Sequence, residues 1–311
     1  MFLVFFPQLP RCFYFLNPLT GKFLCYGNAT SCTINQSANT DEAAVKNDVG
    51  MASRPTVTSR SAQIQIETLT INNAPALLAA IKAMTPFTLM WDEVSTTDNQ
   101  TPVGAGFARQ CDAYLSDLTL NMNDRENTAT SLQLTAITPP SPVTTTPTIE
   151  EVSVAPFTKG QFYRLFLGND ASATPSKVIA AAKSLSCHIS VSLEDSTTKD
   201  TPGNFQVQEP TGISFDISTN ALIRSGETIT SSVQGQSLSD LQTIFEASEP
   251  VRFEIANVSG ANQRTKGNVL ISGLVTITAL NLSAQVKSNA TYDATLTGYG
   301  EFTVGEDPAE S

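Results

Sequence analysis

Residues that carry chemistry are scarce in this chain. It has one histidine, His188, and one tryptophan, Trp91. A Ser-His-Asp arrangement would have to be built on that single imidazole, and His188 reads as an exposed strand position. No GxxxxGK[ST] or GxGxxG phosphate cradle occurs, and the glycine pair of Gly104-Ala105-Gly106 lacks the flanking pattern. The five cysteines (Cys12, Cys25, Cys32, Cys111 and Cys187) include no C-x-x-C spacing, so neither a zinc knuckle nor a redox dithiol is expected. They read as reduced thiols in a reducing compartment. Charged residues make up only 15% of the chain, and 18 basic residues face 29 acidic ones, a net charge of −11. That balance excludes a protein that wraps or reads nucleic acid through its phosphates. The acidic neighbours Asp92-Glu93 and Glu194-Asp195 fall in extended segments, where adjacent side chains point to opposite faces. They read as solvated carboxylates, not an acid/base pair. No catalytic residue, cofactor or metal site is expected, and the chain does not read as an enzyme.

Long apolar runs are also missing. Met1 to Leu16 (MFLVFFPQLPRCFYFL) is the most apolar segment, but Pro7 and Pro10 interrupt it and Arg11 lies inside it. It has no basic residue ahead of the apolar run, as a secretion signal would, and it is too short to span a bilayer. Residues 1–16 therefore read as an apolar N-terminal arm that packs on its own domain or on a neighbouring subunit, and no membrane association is expected.

What the chain does have is Ser, Thr and Asn among 41% hydrophobic residues, a mixture suited to β-sheets with polar outer faces. Pro139 to Pro147 (PPSPVTTTP) reads as a semi-rigid linker, because proline removes backbone donors and favours extended chain. It gives a first domain over 17–138, a linker over 139–150 and a second domain over 151–311. The part up to Pro142 holds 8 basic and 11 acidic residues, and the remainder 10 and 18.

Four correspondences run in the same order through both domains. Ser31-Cys32-Thr33-Ile34 matches Ser186-Cys187-His188-Ile189, and each leads to an acidic segment followed by Lys and Asp. Gln63-Ile64-Gln65-Ile66 matches Ser214-Phe215-Asp216-Ile217, both alternating with period two. Leu77 to Ile81 matches Leu241 to Phe245 at helical spacing, each ended by a proline, Pro86 or Pro250, with an alternating strand beyond. Tyr114 to Leu120 matches Leu270 to Thr276. A closing strand follows in each, Thr130 to Ile137 and Tyr292 to Phe302. Each domain thus reads as a small β-sheet unit with one short helix. That helix is expected to bury Leu77, Leu78 and Ile81, or Leu241, Ile244 and Phe245. Trp91 falls at an inward strand position and reads as core.

The second domain has further recognisable parts: Pro156-Phe157-Thr158-Lys159-Gly160, Tyr163-Arg164-Leu165-Phe166-Leu167, Glu194-Asp195-Ser196-Thr197-Thr198-Lys199-Asp200, Val269 to Leu274, and Ala294-Thr295-Leu296-Thr297-Gly298-Tyr299-Gly300-Glu301-Phe302. This succession resembles the major tail tube proteins of long-tailed bacteriophages across nearly all of the second half. In the first half, Asp41 to Asp48 is a degraded form of the Lys-Asp segment, and Leu134-Thr135-Ala136 stands where the second has Leu296-Thr297-Gly298. The resemblance implies a mainly β fold, a β-sandwich or half-barrel flanked by a helix, present twice in tandem. It also implies a structural virion protein of the tail, assembled in the host bacterial cytoplasm. Six such domains would form a ring whose inner sheets join around a lumen, so two per chain would make a homotrimeric pseudo-hexamer. Rings would stack into a conduit for genome ejection, with DNA passing through without specific binding. Partners implied are further copies of the chain and the tape measure, terminator and distal tail proteins. The family's Lys-Asp loop reaches toward the next ring, which makes Asp195, Lys199 and Asp200, with Asp41, Lys46 and Asp48, candidate inter-ring contacts. The alternatives are a non-polymerising neck, terminator or distal ring of the same fold, and an exported adhesin or carbohydrate-binding β protein. The last would require cleavage of the apolar N-terminal segment.

Overall fold

The computed structural model describes residues 11–16, 22–25, 29–42, 55–69, 74–93, 108–143, 148–150, 158–179, 182–199, 201, 204–223, 235–259, 265–286 and 288–305. The N-terminal half contains β1 (Arg11–Leu16), β2 (Phe23–Cys25), β3 (Ala29–Glu42), β4 (Pro55–Thr68), α1 (Ala74–Ala83), β5 (Phe87–Glu93), β6 (Arg109–Asn121) and β7 (Ala129–Ala136). Two short strands follow, β8 (Ser141–Pro142) and β9 (Ile149–Glu150). The C-terminal half contains β10 (Tyr163–Leu167), β11 (Lys177–Ile179), β12 (Ala182–Asp195), β13 (Gln208–Leu222), β14 (Gly235–Gln236), α2 (Leu238–Ala247), β15 (Val251–Ser259), β16 (Thr265–Ser283) and β17 (Thr291–Val304). The fold is mainly β, with one ten-residue helix in each half.

Both halves use the same order of antiparallel neighbours. In the first it is β3-β4-β7-β6-β5-β1-β2. In the second it is β12-β13-β17-β16-β15-β10-β11. Alternation decides which face is buried: Ala62, Ile64 and Ile66 on β4, and Phe215, Ile217 and Ala221 on β13, all turn into the core. Ser237 caps α2 by accepting from the Asp240 backbone N–H, and the Asp240 carboxylate accepts from the Ser237 N–H in return. Pro86 and Pro250 lie between each helix and the strand that follows it.

Several sequence expectations take a different form. Residues 11–16, assigned to an apolar arm, form β1, which pairs with β2 and β5 and buries Phe13, Tyr14 and Phe15. Phe13 stacks on the buried Trp91. The remainder of that segment lies outside the described residues. The Pro/Thr-rich stretch is paired near its ends: Ser141–Pro142 with β6, and Ile149–Glu150 in parallel with β2. The sequence match placed Leu115 on Ile271, whereas pairing places it on Val275. Leu115 faces Leu134 and Val275 faces Gly298, while Gln133 and Thr297 hold equivalent places opposite Gln65 and Asp216. The slip is four residues at Leu115, which keeps it on the buried face, but three at Leu118, whose place is held by Ile277 and not Leu274, because the two strands carry irregularities at different points. On the helices, Leu77, Leu78, Ile81, Leu241 and Ile244 are buried as expected, but Phe245 is 41% exposed while its counterpart Ile81 is 1% exposed. The cause is what lies outside each helix: α1 is covered by β17, with Lys82 Nζ over the Phe302 ring at 5.9 Å.

The halves also exchange volume. Ile64 faces Leu134 in the first; the equivalent positions in the second are Phe215 and Gly298, and a Cβ on Gly298 would overlap the Phe215 ring. The larger residue on one strand is accommodated by the smallest on its neighbour. Gly298→Leu should therefore lower stability by about 1–3 kcal/mol through overpacking, and adding Phe215→Ile should restore most of the loss. Thermal melts of the two single variants and the double check this. A double variant no more stable than Gly298→Leu alone would contradict it.

Candidate assembly interface

The two halves meet edge to edge. Residues Ser186–Ser190 of β12 pair antiparallel with Asp117–Asn121 of β6, so one sheet continues from the first half into the second. β6 has room for this partner because β5 covers only Arg109–Ala113. The pairing sets Ser186 opposite Asn121, Cys187 opposite Leu120, His188 opposite Thr119 and Ile189 opposite Leu118. On the inner face Cys187, Ile189, Leu118 and Leu120 are all fully buried. Burial pushes the Cys187 thiol up to about 12, with help from the nearby Asp216 charge, so it is an inert apolar filler and not a nucleophile.

The outer face is polar. Ser186 Oγ donates to Asn121 Oδ1 at 3.0 Å across the junction. His188, expected to be a plain exposed position, instead bridges two carboxylates. Its Nε2 lies 2.7 Å from Asp117 Oδ2 on β6, and its Nδ1 lies 3.1 Å from Asp216 Oδ1 on β13. Partial burial by itself lowers its pKa, but the hydrogen bonds to Asp117 and Asp216 and their negative charges outweigh this, and the net shift is upward. As an imidazolium it donates from both ring nitrogens, one to each half of the chain. Sequence reasoning missed it because both partners are remote, 71 and 28 residues away.

A second contact comes from the start of the C-terminal half. Thr128 N–H donates to the Thr158 carbonyl at 2.8 Å, and Gly160 N–H to the Glu126 carbonyl at 2.9 Å. Gly160 sits where any Cβ would collide with the Asn123 backbone, so glycine is needed for this close approach.

The candidate loop residues are distributed as follows. Asp195 ends β12 and is exposed; its carboxylate accepts from the Thr197 side chain and backbone, which lowers its pKa. Lys199 is exposed in the turn beyond, which is held by Thr201 N–H donating to the Thr198 carbonyl at 3.1 Å. The chain then returns against β4 of the first half, where Gln206 N–H donates to the Arg60 carbonyl at 2.8 Å and Phe205 is buried. Asp41 is exposed near the end of β3, opposite Thr56. Asp200, Lys46 and Asp48 lie outside the described residues. Among the described residues no cluster of His, Cys, Asp and Glu could hold a metal ion, and no helix is long and apolar enough to cross a membrane.

No family model matches the chain, and no curated protein matches it. Several solved structures are similar at low identity, the following three among them. The virion of a native gene transfer agent particle matches at 16% identity, covering 47% of this chain and 98% of that one, with a TM-score of 0.35. The tail of an empty gene transfer agent particle with C6 symmetry matches at 15%, covering 47% and 98%, with a TM-score of 0.36. The SPP1 tail tube matches at 14%, covering 47% and 78%, with a TM-score of 0.35.

The His188 bridge has a definite pH signature. A histidine with a raised folded pKa contributes stability in full below its unfolded value, near 6.5, and loses it as pH rises through the folded value. For a half-exposed group screened by solvent, the contribution is about 0.5–1 kcal/mol. Urea unfolding of wild type and His188→Asn across this range should show the variant less stable on the acid side and the gap closing as pH rises. Parallel profiles for the two proteins would contradict the assignment.

Proposed function

We propose that the chain is a structural protein of a phage tail: two tandem copies of one tail-tube-like domain, three chains to a pseudo-hexameric ring, and rings stacked into a conduit for DNA. The observation that carries this reading is the β6–β12 junction, where one half extends the sheet of the other. The identical order of strand neighbours in the two halves supports reading them as copies. The resemblance of the Glu194 to Asp200 segment and the Leu296 to Phe302 strand to tail tube proteins supports the particular family.

Mechanism here is geometric and electrostatic. Three chains would join through three sheet junctions within chains and three between them, each satisfying strand edges that a lone domain leaves unpaired. A chain of net charge −11 offers passing phosphates little to bind, because counterion release requires basic residues. Asp195, Lys199 and Asp200, with Asp41, Lys46 and Asp48, are proposed to meet the neighbouring ring, since Asp41 and Asp195 stand at the ends of the long strands β3 and β12 and Lys199 in the turn beyond β12. Tape measure, terminator and distal tail proteins are the proposed partners at the lumen and ends, and the proposed location is the virion tail.

Electron microscopy of the purified, concentrated protein tests the role. Long hollow tubes of uniform width are expected. Isolated rings that never stack would assign the chain to a neck, terminator or distal ring, and a monomer without assemblies would overturn the reading.

A further inference from the structure

Between β12 and β13 the chain crosses to the first half and is seated there. β4 pairs with β3 along Pro55–Thr68, but with β7 only over Gln63–Thr68. The stretch of β4 before Gln63 extends past β7, and Asn204-Phe205-Gln206 lies along it. Gln206 N–H donates to the Arg60 carbonyl at 2.8 Å, and Asn204 Nδ2 donates to the Val57 carbonyl at 3.1 Å. Phe205 and Arg60 form a parallel bridge between them. Asn204 has a φ of 55°, a left-handed conformation that asparagine adopts more readily than most residues. The Phe205 side chain is 3% exposed and belongs to the apolar core. It lines a cavity of about 310 Å³ together with Ala38, Ala62, Pro139 and Pro140.

From this seat a run of hydrogen bonds leads to the candidate contact residues. Val207, next to Gln206, holds the base of the loop. Ser196 N–H donates to the Val207 carbonyl at 2.9 Å, and Val207 N–H donates to Thr197 Oγ1 at 3.0 Å. Thr197 N–H in turn donates to the Asp195 carboxylate at 2.8 Å. Thr198 N–H donates to Thr201 Oγ1 at 3.0 Å, and Thr201 N–H returns to the Thr198 carbonyl at 3.1 Å. Asp195 and Lys199 are themselves exposed. The nearest buried aromatic anchor along the loop is therefore Phe205, and its socket belongs to the other half of the chain.

We propose that Phe205 is a positioning residue for stacking: seated against the first half, it pre-orders the Asp195–Lys199 turn of the second half, so that the turn meets a neighbouring ring already in place. This deepens the tube reading and rests on it. Immobilising exposed backbone and side chains at the moment of contact costs free energy. A turn held through Val207 by the Phe205 seat has lost that freedom when the chain folds, and more of the contact energy is left for association. The effect falls on stacking and not on the joining of the two halves, because the β6–β12 pairing uses Asp117–Asn121 and Ser186–Ser190. The tandem arrangement thereby gains a second use, since one half supplies the support for the other half's contact turn.

Three full-length variants test this. Phe205→Ala empties the seat, Phe205→Leu keeps an apolar anchor, and Asn204→Asp leaves the ring in place but replaces the donor to the Val57 carbonyl with a carboxylate. For each, ring formation is followed by electron microscopy, hydrogen exchange by mass spectrometry at Asp195–Lys199, and tube formation as the lowest protein concentration at which tubes pellet. Phe205→Ala should form rings as wild type does, exchange faster at Asp195–Lys199 and not at β6 or β12, and need about tenfold more protein to form tubes. Asn204→Asp should move both readouts the same way by a smaller factor, and Phe205→Leu should stay close to wild type. Faster exchange with an unchanged tube threshold would overturn the role in stacking and leave the tube reading standing. Unchanged exchange at Asp195–Lys199 would overturn the latch itself. If Phe205→Ala fails to fold, Asn204→Asp decides by the same two readouts. Wild-type protein that forms no tubes at any concentration would overturn the tube reading and, with it, the role of Phe205 in stacking.

Discussion

A β-sheet ends in two edges, and each edge carries a row of backbone donors and acceptors that only another strand can fully satisfy. That constraint governs this protein more than any side chain does. Inside the chain it is met at β6–β12, where pairing over Asp117–Asn121 joins the two halves and lets the apolar clusters on either side merge into one core.

Divergence between the halves follows the same logic. Positions that hold the pairing together keep their character: Ile66 and Ile217, Leu132 and Leu296, Leu120 and Leu280. Positions that face one another exchange volume, as Ile64 and Leu134 do against Phe215 and Gly298. Polar positions at the boundary change charge. The His188 bridge between Asp117 and Asp216 belongs to the internal junction, and its counterparts are neutral. Two halves under one set of pairing rules thus differ in the side chains along their edges.

Much of the fold was legible in the sequence because period-two alternation and a helix ended by proline are local signals. They located β4, β5, β13 and β15, the two helices, and the inward face of Trp91. Register was not legible: Leu115, Ile271 and Val275 are all buried, so Leu115 could be matched to Ile271 in place of Val275. Burial that depends on a remote surface was not legible either. Nothing near Phe245 indicates that its helix lacks the cover that β17 gives Ile81. β1 was hidden because its apolar residues run on from those of the preceding segment, and its strand partners, β5 above all, lie far along the chain. His188 was hidden for a related reason, since a lone imidazole acquires meaning only when the fold brings Asp117 and Asp216 to either side of it.

The central claim is that the ring is built from three chains and not six. The symmetry of the assembled ring, measured by electron cryo-microscopy without imposed symmetry, tests it most directly. The account predicts threefold symmetry with six similar domains around the lumen, alternating between the first and second halves of the chain. Six whole chains per ring, each contributing only one of its halves to the inner wall, would contradict it.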